Sequence, residues 1–190
     1  MRCFSCAKLS WSIICDNCQK NFFVPTIKIR KIGTLDVISF YRYTTLEPLL
    51  LTKHKPEGYR IYRYLGKMLF RPFAQEFVKY DKSTIHVVGI DEYIKNGYSH
   101  IACLTHAMKI KGIEVQYASL MAQNRVSYAG KLLQFRLQNP RNFYYSGKKE
   151  VNAILVDDII TTGLTIKEAH KTLASYDVNV LFALTLADVD

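Results

Sequence analysis

Between Ile154 and Thr165 the chain reads ILVDDIITTGLT. An aliphatic run meets two adjacent carboxylates, Asp157 and Asp158. Ile159, Ile160, Thr161, Thr162, Gly163, Leu164 and Thr165 then lead into IKEAHKTLASY, which has helical character. Backbone N–H groups at a helix start, joined by the hydroxyls of Thr161, Thr162 and Thr165, suit a bound phosphate. Gly163 lets the backbone come close to it without a Cβ. Carboxylates would repel that phosphate but accept hydrogen bonds from sugar hydroxyls beside it. Acid at one end and an anion nest at the other fit a phosphorylated ribose.

A second cluster opens the chain. Cys3, Cys6, Cys15 and Cys18 are spaced C-x2-C-x8-C-x2-C. Each CxxC pair can offer two thiolates from one knuckle to a tetrahedral Zn²⁺, at about 2.3 Å. A disulfide framework is disfavoured in a reducing cytosol, and an iron–sulfur cluster accepts the same four thiolates. Structural zinc is the reading that suits spacing and compartment together, and it would organise a segment too short to build its own core. The fifth cysteine, Cys103, falls on an apolar helical face and reads as buried. The histidines form no pair on one helical face, so none is a candidate ligand.

These residues need a scaffold. DVISFYRY reads as a strand, and TLEPLLLTKHKPEG as a short helix ended by Pro56 and Gly58. YRIYRYLGKMLFRPFAQEFVKY reads as a long helix bent at Pro72. From residue 85 strands and helices alternate: IHVVGID, YSHIACLTHAMKI, IEVQYAS, SYAGKLLQFRLQ, NAILVDD, GLTIKEAHKTLASY and NVLFALTLAD. Such alternation predicts βαβ units around a parallel sheet, with AILV and VLFALTL as strands covered on both faces. Ligands in such sheets sit beyond the strand carboxyl ends, where Asp157 to Thr165 would lie. Residues 139–150, NPRNFYYSGKKE, read as a long flexible loop. The expected organisation is a knuckle and linker over 1–35 and an α/β domain over 36–190.

The chain has 190 residues, 49% of them hydrophobic, which is ample for one core. It has no apolar run long enough for a membrane span and no convincing export signal, so the expectation is a cytoplasmic protein. The net charge of +10 is uneven. Residues 1–60 carry ten basic and four acidic side chains, residues 61–150 fourteen and six, and residues 151–190 two and six. A basic body with an acidic end favours polyanionic partners. Arg60, Arg63, Lys67 and Arg71 fall on one stripe of the long helix with tyrosines interleaved, and Arg125, Lys131, Arg136 and Arg141 form a second basic group. Cationic grooves with aromatic faces are how single-stranded DNA is held without sequence preference. The same stripes also serve as ordinary solvated faces.

LVDDIITTGLT closely resembles the phosphoribosyl pyrophosphate (PRPP) motif of type I phosphoribosyltransferases. That resemblance implies contacts from Asp157 and Asp158 to the ribose 2′- and 3′-hydroxyls, and a 5′-phosphate held by Thr161, Thr162, Gly163 and Thr165. It also implies a type I phosphoribosyltransferase-like α/β fold and Mg²⁺ accompanying PRPP. With the four-cysteine knuckle before it, the chain resembles the ComF competence proteins. NGYSHIA (96–102) is similar to that family's helix start and FRLQN (135–139) to its Arg-x-x-Asn element. VVGIDEY stands where the family carries a Pro-Val-Pro strand end, and Ser99 and His100 stand where Asn and Gln are typical.

The ComF resemblance implies a role in natural transformation. The protein would handle incoming single-stranded DNA at the cytoplasmic face of the membrane, alongside other parts of the uptake machinery. Catalysis does not follow from the fold. The alternative is a nucleobase phosphoribosyltransferase, in which the base attacks the anomeric carbon and pyrophosphate leaves. Purine-salvage enzymes often place an acid where Thr161 stands, so that base-protonating group is missing here.

Overall fold

A computed structural model describes residues 2–80, 83–91, 94, 97–124, 126, 128 and 132–189. Its described residues contain one sheet of seven strands: β1 (Lys28–Ile32), β2 (Leu35–Arg42), β3 (Ile85–Asp91), β4 (Ile113–Ala122), β5 (Phe143–Tyr145), β6 (Asn152–Ile160) and β7 (Asn179–Asp188). The order across the sheet is β1-β2-β7-β6-β3-β4-β5. β2, β7, β6, β3 and β4 pair in parallel, while β1 and β5 close the edges in antiparallel fashion. The α/β class expected from the alternation is therefore the one found. β6 lies at the centre, and Ala153 to Val156 are fully buried because both of its faces are covered.

The two faces differ in what covers them. On one, Ile154, Val156, Leu184 and Leu186 pack with the helices α2 (Tyr43–Leu50), α3 (Gly58–Leu65), α4 (Arg71–Tyr80) and α5 (His100–Ala107). On the other, Ala153, Leu155 and Ala183 pack with Ile166, Ala169 and Leu173 of α7 (Leu164–Ala174). Two further short helices are α1 (Asp16–Phe22) and α6 (Leu133–Gln138).

α3 and α4 form one continuous rod joined by a π turn, Gly66–Phe70. The sequence places the irregularity at Pro72, and the π turn lies just before it. Pro72 has no N–H for the carbonyl four residues back, and the Arg71 N–H instead reaches the Gly66 carbonyl, one residue further than in an α-helix. Gly66 also sets how near the rod lies to α5: a Cβ there would stand 2.9 Å from the Cys103 carbonyl oxygen.

Three segments depart from the expectations. Residues 139–150 are not simply a loop, since Phe143–Tyr145 pairs with β4 through Leu120↔Tyr145 and Ala122↔Phe143. Phe143 and Tyr145 point inward on either side of an exposed Tyr144, and the Tyr145 hydroxyl donates to the Lys148 carbonyl at 2.7 Å. Alternation over only three residues is too short a signal to stand out from a polar stretch. Lys28–Ile32 pairs with β2 although it falls in the stretch 1–35 expected to be knuckle and linker. α1 follows Cys15 and places Cys18 inside the core.

The cysteine knuckle packs on the domain. Cys3, Ile14, Cys18 and Phe23 belong to the same buried cluster as Phe40, Tyr41 and Phe70. Ile14 is completely buried, and the Tyr41 hydroxyl donates to the Phe23 carbonyl at 2.7 Å. Ile14→Ala is therefore expected to cost about 2–5 kcal/mol of whole-domain stability, read as a lower denaturant midpoint in a single transition. A separate early transition for the knuckle would mean that its docking contributes little.

Candidate functional site

The parallel strands bring their carboxyl ends to one edge of the sheet, and the segment from Asp157 to Thr165 lies on it. β6 runs through Ile160, and α7 starts at Leu164. The three residues between make the turn. Gly163 adopts φ +76°, a left-handed conformation that strains other residues. Its Cα also lies against Ile32 of β1, where an added Cβ would collide with that side chain. Thr161 and Thr162 are exposed, Thr165 and Leu164 are half-buried, and Ile160 is buried beneath them. Hydroxyls and the first N–H groups of an eleven-residue helix are thus gathered at one point.

The turn is braced by two arginines from distant parts of the chain. Arg30 of β1 donates to the Thr161 carbonyl and, at 3.1 Å, to Asp188 at the end of β7. Arg136 of α6 donates to the Thr161 hydroxyl at 2.8 Å. Positive charge therefore stands over the turn although the surrounding sequence is acidic.

The two adjacent carboxylates are not equivalent. Neighbours on an extended strand point to opposite faces. Asp157 is half-buried, and its Oδ1 accepts the Asp158 N–H at 2.8 Å. Asp158 is buried on the face of Ile154 and Val156. Its Oδ2 lies 3.1 Å from Lys53 Nζ, 3.5 Å from His100 Nε2 and 3.5 Å from the Tyr62 hydroxyl. Burial by itself would raise the carboxyl group, but the charges of Lys53 and His100, with the Lys53 hydrogen bond, outweigh it and hold Asp158 at about 2. The same surroundings push the Tyr62 hydroxyl upward, through burial first and the Asp158 charge second. Tyr62 is therefore a proton donor toward Asp158 at neutral pH.

Lys53 comes from the turn after α2, which Tyr98 clamps by donating to the Lys53 carbonyl at 2.7 Å. His100 starts α5, whose N-cap Ser99 accepts the Ala102 N–H and donates to Asp91 Oδ1 at 2.8 Å. Asp91 is a buried carboxylate at the end of β3, and burial raises its carboxyl group above the ordinary range. Lys53, Tyr62, His100, Arg30 and Arg136 thus complete a site that the motif alone does not announce. No local spacing links them, because Lys53 and Asp158 are 105 residues apart.

At the other end of the chain, the sulfurs of Cys3, Cys6, Cys15 and Cys18 lie within 4.8 Å of one another. Cys6 and Cys15 Sγ are 3.7 Å apart, close to the ~3.8 Å edge of a tetrahedron with 2.3 Å metal–sulfur bonds. All four are free thiols, and the Cys15 N–H donates to Cys3 Sγ at 3.3 Å. This donor set fits a closed zinc site.

The basic residues singled out from the sequence are distributed differently. Arg60, Arg63, Lys67 and Arg71 lie along the α3–α4 rod, and the last three line a groove against α5. Arg136 sits on the Thr161 turn. Arg141 is buried, with its guanidinium 4.7 Å from the centre of the Tyr128 ring. Arg125 and Lys131 lie outside the described residues. Cys103 is buried on α5, as its apolar surroundings suggest. No helix among the described residues is long and apolar enough to cross a membrane.

No family model matches the chain, and no curated protein matches it. Solved structures similar to it include an adenine phosphoribosyltransferase at 15% identity, covering 91% of this chain and 89% of that one, with a TM-score of 0.45. Another adenine phosphoribosyltransferase, from Saccharomyces cerevisiae, is 14% identical over 92% and 89%, with a TM-score of 0.43. A hypoxanthine phosphoribosyltransferase from Staphylococcus aureus is 17% identical over 67% and 62%, with a TM-score of 0.42.

The Asp158 cluster sets a pH dependence. A carboxyl group depressed on folding contributes stability that is complete above about pH 5 and is lost as pH falls toward 2. Asp158→Asn should therefore flatten the acid limb of the stability profile and cost about 3 kcal/mol near neutrality, where the Asp158 charge facing Lys53 is lost; parallel acid limbs for the two proteins would show that the pair is not formed in solution. For the knuckle, metal analysis should return one zinc per chain, and Cys15→Ser should lose both the metal and stability.

Proposed function

We propose that this protein is a phosphoribosyltransferase-like, ComF-type competence protein. It binds PRPP at the Asp157–Thr165 loop and handles single-stranded DNA during uptake at the cytoplasmic face of the membrane. The observation that carries the ligand assignment is the loop itself. A left-handed glycine against β1, exposed threonine hydroxyls and a helix N-terminus meet at the carboxyl end of the central strand, with carboxylates immediately before them.

On this reading the 5′-phosphate takes the N–H groups and hydroxyls of Thr161 to Thr165, and Asp157 accepts from a ribose hydroxyl. Asp158, tied to Lys53 and His100, fixes the end of β6 and brings two nitrogen donors to the ribose side of the loop. Arg136 is placed to meet further phosphate oxygens. Mg²⁺ accompanying the ligand would neutralise pyrophosphate charge. The knuckle, holding zinc, shapes the helical face behind the site.

Calorimetric titration with magnesium PRPP tests the assignment. The parent protein should bind, and Asp157→Ala should weaken binding about tenfold or more, as expected for a lost hydrogen bond to a charged group. Gly163→Val should abolish binding, since both the left-handed backbone and the contact with Ile32 forbid the larger side chain. Unchanged affinity in both variants excludes the loop as the ligand site. Pyrophosphate release that depends on an added nucleobase would instead identify a phosphoribosyltransferase enzyme.

A further inference from the structure

The groove between the α3–α4 rod and α5 is separate from the Asp157–Thr165 loop and has a different chemistry. It encloses about 510 Å³ and is open to solvent along the rod. Arg63, Lys67 and Arg71 recur every four residues and form one wall, and Lys109, just beyond α5, faces them. The floor is made of small side chains, Ala102, Cys103 and Ala107, which the close approach at Gly66 brings up to the rod.

Its electrostatics are unusual for this molecule. Among the described residues no carboxylate lines it. Among the described residues Arg63, Lys67, Arg71 and Lys109 make no salt bridge, whereas Lys31, Lys79 and Lys148 on other surfaces are each paired with an acid. Four cations facing one trough repel one another. A polyanion laid along them relieves that repulsion and releases condensed counterions.

Aromatic rings stand at both ends. Tyr59 is held by Arg63, which donates to its hydroxyl at 3.0 Å and lies 5.3 Å from its ring centre, and by Tyr98, whose ring is 5.7 Å away. Tyr117 is oriented by His106, with Nδ1 2.7 Å from its hydroxyl. Both tyrosines remain more than two-fifths exposed. Cations between oriented rings match a chain of phosphates bearing flat bases. A concave trough is the wrong shape for a flat lipid surface. Burial pushes the Cys103 thiol up to about 11, so it stays protonated on the floor at neutral pH.

We propose that this groove is the single-stranded nucleic-acid site of the protein, with Arg63, Lys67, Arg71 and Lys109 on the phosphates and Tyr59 and Tyr117 stacking on bases. The assignment rests on the DNA-handling reading above and names the surface that performs it.

Fluorescence anisotropy with oligothymidylate, and with oligouridylate in a second arm, measured across a potassium chloride series, tests it. The combined variant Lys67→Ala, Lys109→Ala should lower the slope of log affinity against log salt by about 1.4, at about 0.7 for each single-strand phosphate that is no longer neutralised. Tyr117→Ala should weaken binding about fivefold or more, and Tyr117→Phe should retain most of it. Lys171→Ala, on α7 across the sheet, should leave slope and affinity unchanged. All four side chains changed are exposed, and unaltered magnesium PRPP binding in each variant shows that the fold is intact. Parental slope and affinity in the groove variants, with the parent binding oligonucleotide, overturn the groove alone. A parent that binds neither oligonucleotide overturns both the groove and the DNA-handling reading. Groove-dependent binding to phosphatidylserine vesicles without oligonucleotide binding overturns the nucleic-acid assignment in favour of a lipid surface. The two oligonucleotide arms decide whether the strand is DNA or RNA.

Discussion

A carboxylate buried at the end of the central strand needs a cation, and much of this protein is arranged around meeting that need. Asp158 lies where β6 leaves the core, and water cannot solvate it there. Lys53 and His100 come to it from a turn and a helix that are remote in sequence. The cost of an unpaired buried charge therefore fixes three elements against one another: β6, the turn after α2, and the start of α5. Tyr98 extends the arrangement by clamping the Lys53 turn, and Ser99 extends it to Asp91 at the end of β3. The loop that follows Asp158 inherits its position from this cluster.

The sheet divides labour between its faces. α7 covers one side and delivers its N-terminus to the Thr161 turn, so that side gathers the threonine hydroxyls and the first N–H groups of the helix. The other side carries the α3–α4 rod, α5 and the cysteine knuckle on a shared core. Burial of Ile14 and Cys18 in that core makes the knuckle part of the domain's packing, and metal binding would then act on the stability of the whole helical face.

Charge is distributed with equal economy. Cations near the loop are committed: Arg30 to Asp188 and Thr161, Lys53 to Asp158, Arg136 to Thr161. Those along the α3–α4 groove lack acidic partners among the described residues. A net charge of +10 describes neither situation, since the same residue types serve as internal braces in one place and as an open electropositive track in the other.

Features that depend on local order were legible along the chain. Long apolar runs and helical periods marked the strands β3, β6 and β7 and the helix α7, because buried parallel strands and amphipathic helices leave dense patterns. Cysteine spacing marked the knuckle, and the Asp-Asp-to-Thr stretch marked the loop, because both chemistries use neighbours in the chain. The rest came from packing in three dimensions. It turned Asp157 and Asp158 to different surroundings, joined Lys53 and His100 to the site, drew Arg136 to the loop and buried Arg141 against Tyr128. It also made an edge strand of Phe143–Tyr145. Each of these follows from packing between segments far apart in sequence, where burial and charge pairing are set by which surfaces meet, and no spacing along the chain encodes that meeting.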